Sequence, residues 1–145
     1  ILIGLVGSEM CIRDSVGYLA KNKDVREIMK KFQKRIIQKN KRICVEGRDI
    51  ASTILKKNPR YDLAFYFTCN LNLASIRRWK DLKKKVPLKE VKKSLSIRTR
   101  LDKKRKHSPL KKMRDAVLIR TDKLNKKKVL LKMSQEIEKI NYKTL

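Results

Sequence analysis

Three short apolar runs, Ile43–Val45, Leu63–Thr68 and Ala116–Ile119, alternate along the chain with longer stretches whose apolar residues recur every three or four positions. Short apolar runs suit buried strands, and the longer period is that of an amphipathic helix. Val25, Ile28, Met29, Phe32, Ile36 and Ile37 predict a helix over Tyr18–Lys41. Leu71, Leu73, Ala74, Ile76, Trp79 and Leu82 predict a second over Leu71–Lys85. Pro87 interrupts that pattern, and Val91, Leu95 and Ile97 carry a third helix to about Lys103. Val129, Leu130, Met133, Ile137 and Ile140 form the apolar face of a closing helix, Asn125–Tyr142. Strands alternating with helices imply an α/β fold with a parallel sheet covered on both faces. Ligands in such sheets bind at the carboxyl ends of strands, so Glu46–Asp49, just after the first run, is the first place to look. The absence of an internal repeat or a Gly/Ser linker points to one domain.

Charge comes next. Lys and Arg total 41 against 14 Asp and Glu, a formal net charge of +27 in 145 residues. Such an excess fits a polyanionic partner: nucleic acid, a membrane surface or nucleotide phosphates. It equally fits a lysine-rich coding bias around an ordinary enzyme, because the lysines fall mostly in polar helical stripes. Lysine runs at Lys83–Lys85, Lys103–Lys106 and Lys126–Lys128 favour a basic nucleic-acid-binding module, although aromatics do not interleave with them as single-strand stacking requires. No apolar stretch is long enough to span a bilayer, and Ile1–Val6 does not build a secretory signal. Cys11, Cys44 and Cys69 lie far apart, without metal-ligand or disulfide spacing, which leads us to expect a reducing cytoplasm.

Residues Leu5–Ser15 (LVGSEMCIRDS) resemble a translated sequencing adapter. Residues 1–15 are therefore expected to be foreign, with native sequence beginning near Val16.

The segment ICVEGRDIAST (Ile43–Thr53) places an acid, a glycine, an arginine and a second acid after an apolar run. A glycine there permits tight turning and close ligand approach. Arg48 offers a planar fork for phosphate oxygens, and Asp49 can accept from an exocyclic amine such as cytosine N4. In isolation these four residues would read better as a salt-bridged turn. They stand, however, with VRE at Val25–Glu27, SIRTRLDKKRKHSPL at Ser96–Leu110 and DAVLIRTDKLN at Asp115–Asn125. Taken in order at this spacing, the four blocks resemble the cytidylate kinases over about Val16–Ile140.

The resemblance implies a phosphate-loop nucleoside monophosphate kinase fold, truncated at its N-terminus, with a partial domain over 16–145 and a lid region about 77–105. It implies ATP-dependent phosphorylation of CMP or dCMP, Mg²⁺ arriving with ATP, a monomer, no membrane partner, and nucleic acid held only through non-specific charge. Arg26 then reads the pyrimidine edge with Asp49, and Arg48 holds the monophosphate. Arg98, Asp102 and Arg105 fall at R-x3-D-x2-R spacing for ribose and phosphate contacts, with Arg48, Arg98 and Arg105 steadying the transferring group. The i, i+4, i+7 spacing of that trio places them in one helical stripe. Arg77 and Arg78 are similar to lid arginines over ATP, although polar positions beside a packed Trp79 account for them nearly as well. The single histidine, His107, reads as a surface residue.

Two departures stand out. Glu46 occupies a position where the family usually has aspartate, which puts its role on a magnesium-bound water in doubt. A serine that touches the base in the family would fall near Gly17. The sequence also contains no G-x4-GK[ST] phosphate loop, so this chain is expected to lack kinase turnover.

Overall fold

The computed structural model describes residues 22–57, 59–106 and 108–141. The expectations for residues 1–15, Gly17 and His107 lie outside them. The described residues fall into two compact units. One holds the residues up to Tyr61 together with Asp102–Lys111, and the other holds Asp62–Leu101 with the residues from Lys112 onward. No linker announces this division because one boundary falls inside a helix.

The first unit begins with α1, Lys23–Lys39. Asn22 caps its start, the side-chain oxygen accepting from the backbone amides of Asp24 (2.8 Å) and Val25 (3.2 Å). Asn40 closes the other end, donating from Nδ2 to the Ile36 carbonyl at 2.7 Å. The side of α1 that carries Ile37 is buried, against Ile50, Ile54 and Leu55, with Ile43, Val45 and Tyr61 packed around them. Of the apolar face expected for this helix, Ile37 is buried and Ile36 half-buried, while Val25, Ile28, Met29 and Phe32 stand open at 36, 66, 40 and 54% exposed.

Ile43–Val45 is a second correction. Ile43 and Val45 point into the apolar cluster while Cys44 is exposed, the alternation of a strand. Yet no strand pairs with this segment among the described residues, and without a ladder it is only extended chain. The glycine after it is also required for a different reason than turning. No glycine among the described residues has positive φ. A Cβ on Gly47 would instead sit 2.6 Å from Ile50 Cγ1. Ile50–Ile54 then forms one π-helical turn, in which the Leu55 amide donates to the Ile50 carbonyl at 2.8 Å.

The second unit carries the sheet. β1 (Phe65–Thr68) and β2 (Val117–Arg120) run parallel, with Phe65 opposite Val117 and Thr68 opposite Arg120. Two helices connect them, α2 (Leu71–Asp81) and α3 (Leu88–Lys104), and α4 (Lys126–Asn141) follows β2. Parallel strands need such a crossover because a tight turn reverses the chain. Pro87 stops one helix and starts the next: its carbonyl accepts from the amides of Glu90 (3.0 Å) and Val91 (3.2 Å). The end of α2 is tight, with Lys83 and Lys84 at φ of 51° and 60°. Ala64, Ala116, Ile119, Val91 and Ser75 are buried. The sheet is not covered throughout, since Phe67 is 49% and Leu118 41% exposed.

Candidate functional site

In the first unit, α1 presents Arg26 from its first turn, and the turn before Ile50 presents Arg48 and Asp49. Arg26 Nη2 donates to Asp49 Oδ2 at 2.5 Å, both side chains being less than one-fifth exposed. The pair joins residues 23 apart in sequence. Asp49 also anchors the following turn through its backbone: its carbonyl accepts from the Thr53 amide at 2.9 Å.

A second charged group stands beside it, since Arg48 is the chain neighbour of Asp49. Asp102, in the last turn of α3, accepts from Arg105 Nη2 through Oδ1. Its Oδ2 lies 3.2 Å from Arg48 Nη1, an ion pair rather than a directed hydrogen bond. One carboxylate thus holds two guanidiniums. The Arg105 Nε donor is buried and makes no hydrogen bond among the described residues. The Leu110 amide returns to the Asp102 carbonyl at 2.8 Å, fixing the loop that follows Arg105.

Five residues singled out from the sequence (Arg26, Arg48, Asp49, Asp102 and Arg105) therefore meet in one unit. Arg98 sits on α3 a turn before Asp102, half-buried, in the second unit. Arg105 lies just beyond the helix end rather than in its stripe. Glu46 is exposed.

Arg77 belongs to a different arrangement. Its guanidinium donates to the Thr121 hydroxyl (3.1 Å) and carbonyl (2.8 Å), to the Leu124 carbonyl (3.5 Å) and to Cys69 Sγ (3.6 Å). The fork is spent on the loop after β2. The same edge is tied again where the Asn70 amide donates to Asp122 Oδ1 at 2.7 Å and the Thr121 hydroxyl to the Thr68 carbonyl at 3.1 Å. Sequence reasoning missed this clamp, since two of its four acceptors are main-chain carbonyls far along the chain. Arg78, next on α2, is half-buried.

Three arginines interleaved with two aspartates have the chemistry of a binder of small, phosphate-bearing, amine-bearing ligands, the class to which nucleotide-handling proteins belong. Comparison with known proteins narrows that class. The cytidylate kinase family model matches residues 8–139, and the chain belongs to that family. It is 32% identical over 131 residues to a cytidylate kinase of Clostridium botulinum strain Loch Maree, covering 88% of this chain and 58% of the relative. A Rickettsia akari cytidylate kinase is 31% identical over 130 residues, with the same coverage. One from Alkaliphilus oremlandii is 34% identical over 113 residues, 76% of this chain and 50% of the relative. The chain thus spans 50–58% of the length of these relatives.

Proposed function

We propose that the first unit holds CMP or dCMP for phosphorylation by ATP, with the Arg26–Asp49 pair recognising the base. Cytosine offers acceptors at O2 and N3 and a donor at N4. A guanidinium and a carboxylate fixed side by side complement that edge; uracil would set a carbonyl against the carboxylate. The observation that carries this reading is the 2.5 Å contact between Arg26 and Asp49, beside a carboxylate that holds two further arginines.

Arg48 and Arg105 are placed to take the monophosphate, and the buried Arg105 Nε is a donor suited to one of its oxygens. Asp102 accepts a ribose hydroxyl once its arginines turn to phosphate. Arg98 joins Arg48 and Arg105 in steadying the transferring group, since phosphoryl transfer depends on positioning and charge neutralisation. We assign Arg78 to the ATP side and retain Arg77 there only through the loop it clamps.

Among the described residues no group of three or more His, Cys, Asp or Glu side chains gathers as a metal cage. Asp49 and Asp102 are taken by arginines. That donor set fits Mg²⁺ only as the companion of ATP, with phosphates and water supplying most of its ligands and Glu46 at most one water contact. When bound, the ion neutralises phosphate charge.

Because the sequence carries no G-x4-GK[ST], the chain as given is expected to bind CMP without turning over ATP. We place the parent enzyme in the cytoplasm as a monomer. Calorimetric titration tests the base reading: CMP binds, UMP and AMP bind at least about tenfold more weakly, and Arg26→Ala removes the difference. Equal affinities for the three nucleotides would overturn it.

A further inference from the structure

Helix α3 has a side that the nucleotide site does not use. Advancing about 100° per residue, Lys89, Lys92, Lys93, Arg100, Lys103 and Lys104 fall within about 60° of one line along the helix. All six are exposed. The residue between them on that line is Ser96, also exposed. The only acids of the helix, Glu90 and Asp102, lie about 100° and 220° from Lys89, off the stripe. Asp102 is moreover held by Arg48 and Arg105. The result is an acid-free cationic face about 22 Å long, from the rise per residue between Lys89 and Lys104.

We propose that this face of α3 docks the sugar–phosphate backbone of a nucleic-acid duplex, independently of base sequence. Three features select that occupant. First, charge of one sign repeats at each turn where cations stand, as a linear polyanion requires, and about 22 Å of duplex presents about a dozen phosphate charges. Second, no aromatic residue lies in the stripe, so binding rests on phosphates rather than on stacked, unpaired bases. Third, a basic helix lying on a membrane must sink its apolar side into the acyl boundary. In α3 the side opposite the stripe is taken by Val91, which is 1% exposed, and the paired Asp102, while the exposed Leu88, Ile97 and Leu101 are split between its two flanks and form no single apolar face. The stripe lies roughly opposite Asp102 around the helix axis.

Binding to a blunt duplex of about two turns, followed by fluorescence anisotropy across a salt series, tests the proposal. The variant Lys89→Gln, Lys93→Gln, Arg100→Gln, Lys104→Gln is compared with Lys126→Gln, Lys127→Gln, Lys128→Gln, Lys132→Gln on α4, which removes equal charge elsewhere. The salt dependence of log Kd is expected to fall by about 3.6 in the first variant, about 0.9 for each phosphate that is no longer neutralised, and by less than about 1 in the second. A second measurement needs no substitution: in the unaltered chain, duplex DNA protects Lys89, Lys92 and Lys93 from acetylation more than Lys126–Lys128. An equal fall in slope in the two variants, or equal acetylation with and without DNA, overturns the proposal. So does stripe-dependent binding to phosphatidylserine vesicles with duplex binding untouched.

Discussion

Gly47 offers the sharpest test of how the site is built. An alanine there brings a Cβ to 2.6 Å from Ile50 Cγ1 and 3.0 Å from Cδ1. Carbon atoms rest at about 3.5–4.0 Å, so the overlap is close to 1 Å and something must move. Ile50 is only 9% exposed and packs with Ile37, Ile54 and Leu55, so its rotation away disturbs the cluster. An off-rotamer side chain and local overpacking cost about 2–3 kcal/mol together. Because Gly47 is not at positive φ, alanine also restricts the unfolded chain, which returns about 0.5–1 kcal/mol. The expected net loss is about 1–2.5 kcal/mol. Denaturant unfolding of Gly47→Ala, Ile50→Ala and the double variant checks the origin of that loss. Removing Ile50 Cγ1 relieves the clash, so the double variant should be about 1–2 kcal/mol more stable than the two single losses added together predict. Additivity within about 0.5 kcal/mol would show that the close approach does not govern this position. CMP affinity should fall in Gly47→Ala and recover in the double variant, since Arg48 and Asp49 directly follow the glycine.

Other consequences are more local. Arg77→Ala should remove about 1 kcal/mol of stability and raise amide hydrogen exchange at Thr121 and Leu124; Arg77→Lys should not restore protection, as a single ammonium cannot span the acceptors that the fork reaches. Unchanged exchange in both variants would return Arg77 to the surface. Lys83→Gly should stabilise the chain by up to about 1 kcal/mol in thermal unfolding, because Lys83 stands at φ 51° beside a second left-handed residue. A lower midpoint would mean that the turn tolerates lysine without strain.

The strands and helices of the second unit were largely legible in the sequence. Leu63–Thr68 contains β1, Ala116–Ile119 overlaps β2, and the two pair in parallel as alternation with helices implies. Ile43–Val45 failed as a strand because periodicity reports which side chains turn inward and says nothing about whether a neighbour supplies hydrogen bonds. The stripe Val25–Ile28–Met29–Phe32 shows the same limit from the other side: apolar spacing located the helix but not what it faces. The π turn at Ile50–Ile54 has no sequence signal of its own. Within the candidate site, the resemblance of the short blocks to cytidylate kinases pointed to Arg26, Arg98, Asp102 and Arg105, and the chemistry of the EGRD segment itself to Arg48 and Asp49. The resemblance put Arg26 and Asp49 on one base edge, but their direct contact across 23 steps of chain, and the grip of Asp102 on Arg48, could not be read from the residues alone. The Arg77 clamp was not legible because its donors reach backbone 44 and 47 residues away, where side-chain pattern is silent.

Asp102 has a consequence for how a substrate would arrive. In a protein with a formal charge of +27, guanidiniums crowded together would push one another apart. By gripping Arg48 and Arg105, this carboxylate holds both arms on one anionic group. On the proposed function, entry of a nucleotide would exchange one anion for another rather than force a phosphate between bare cations.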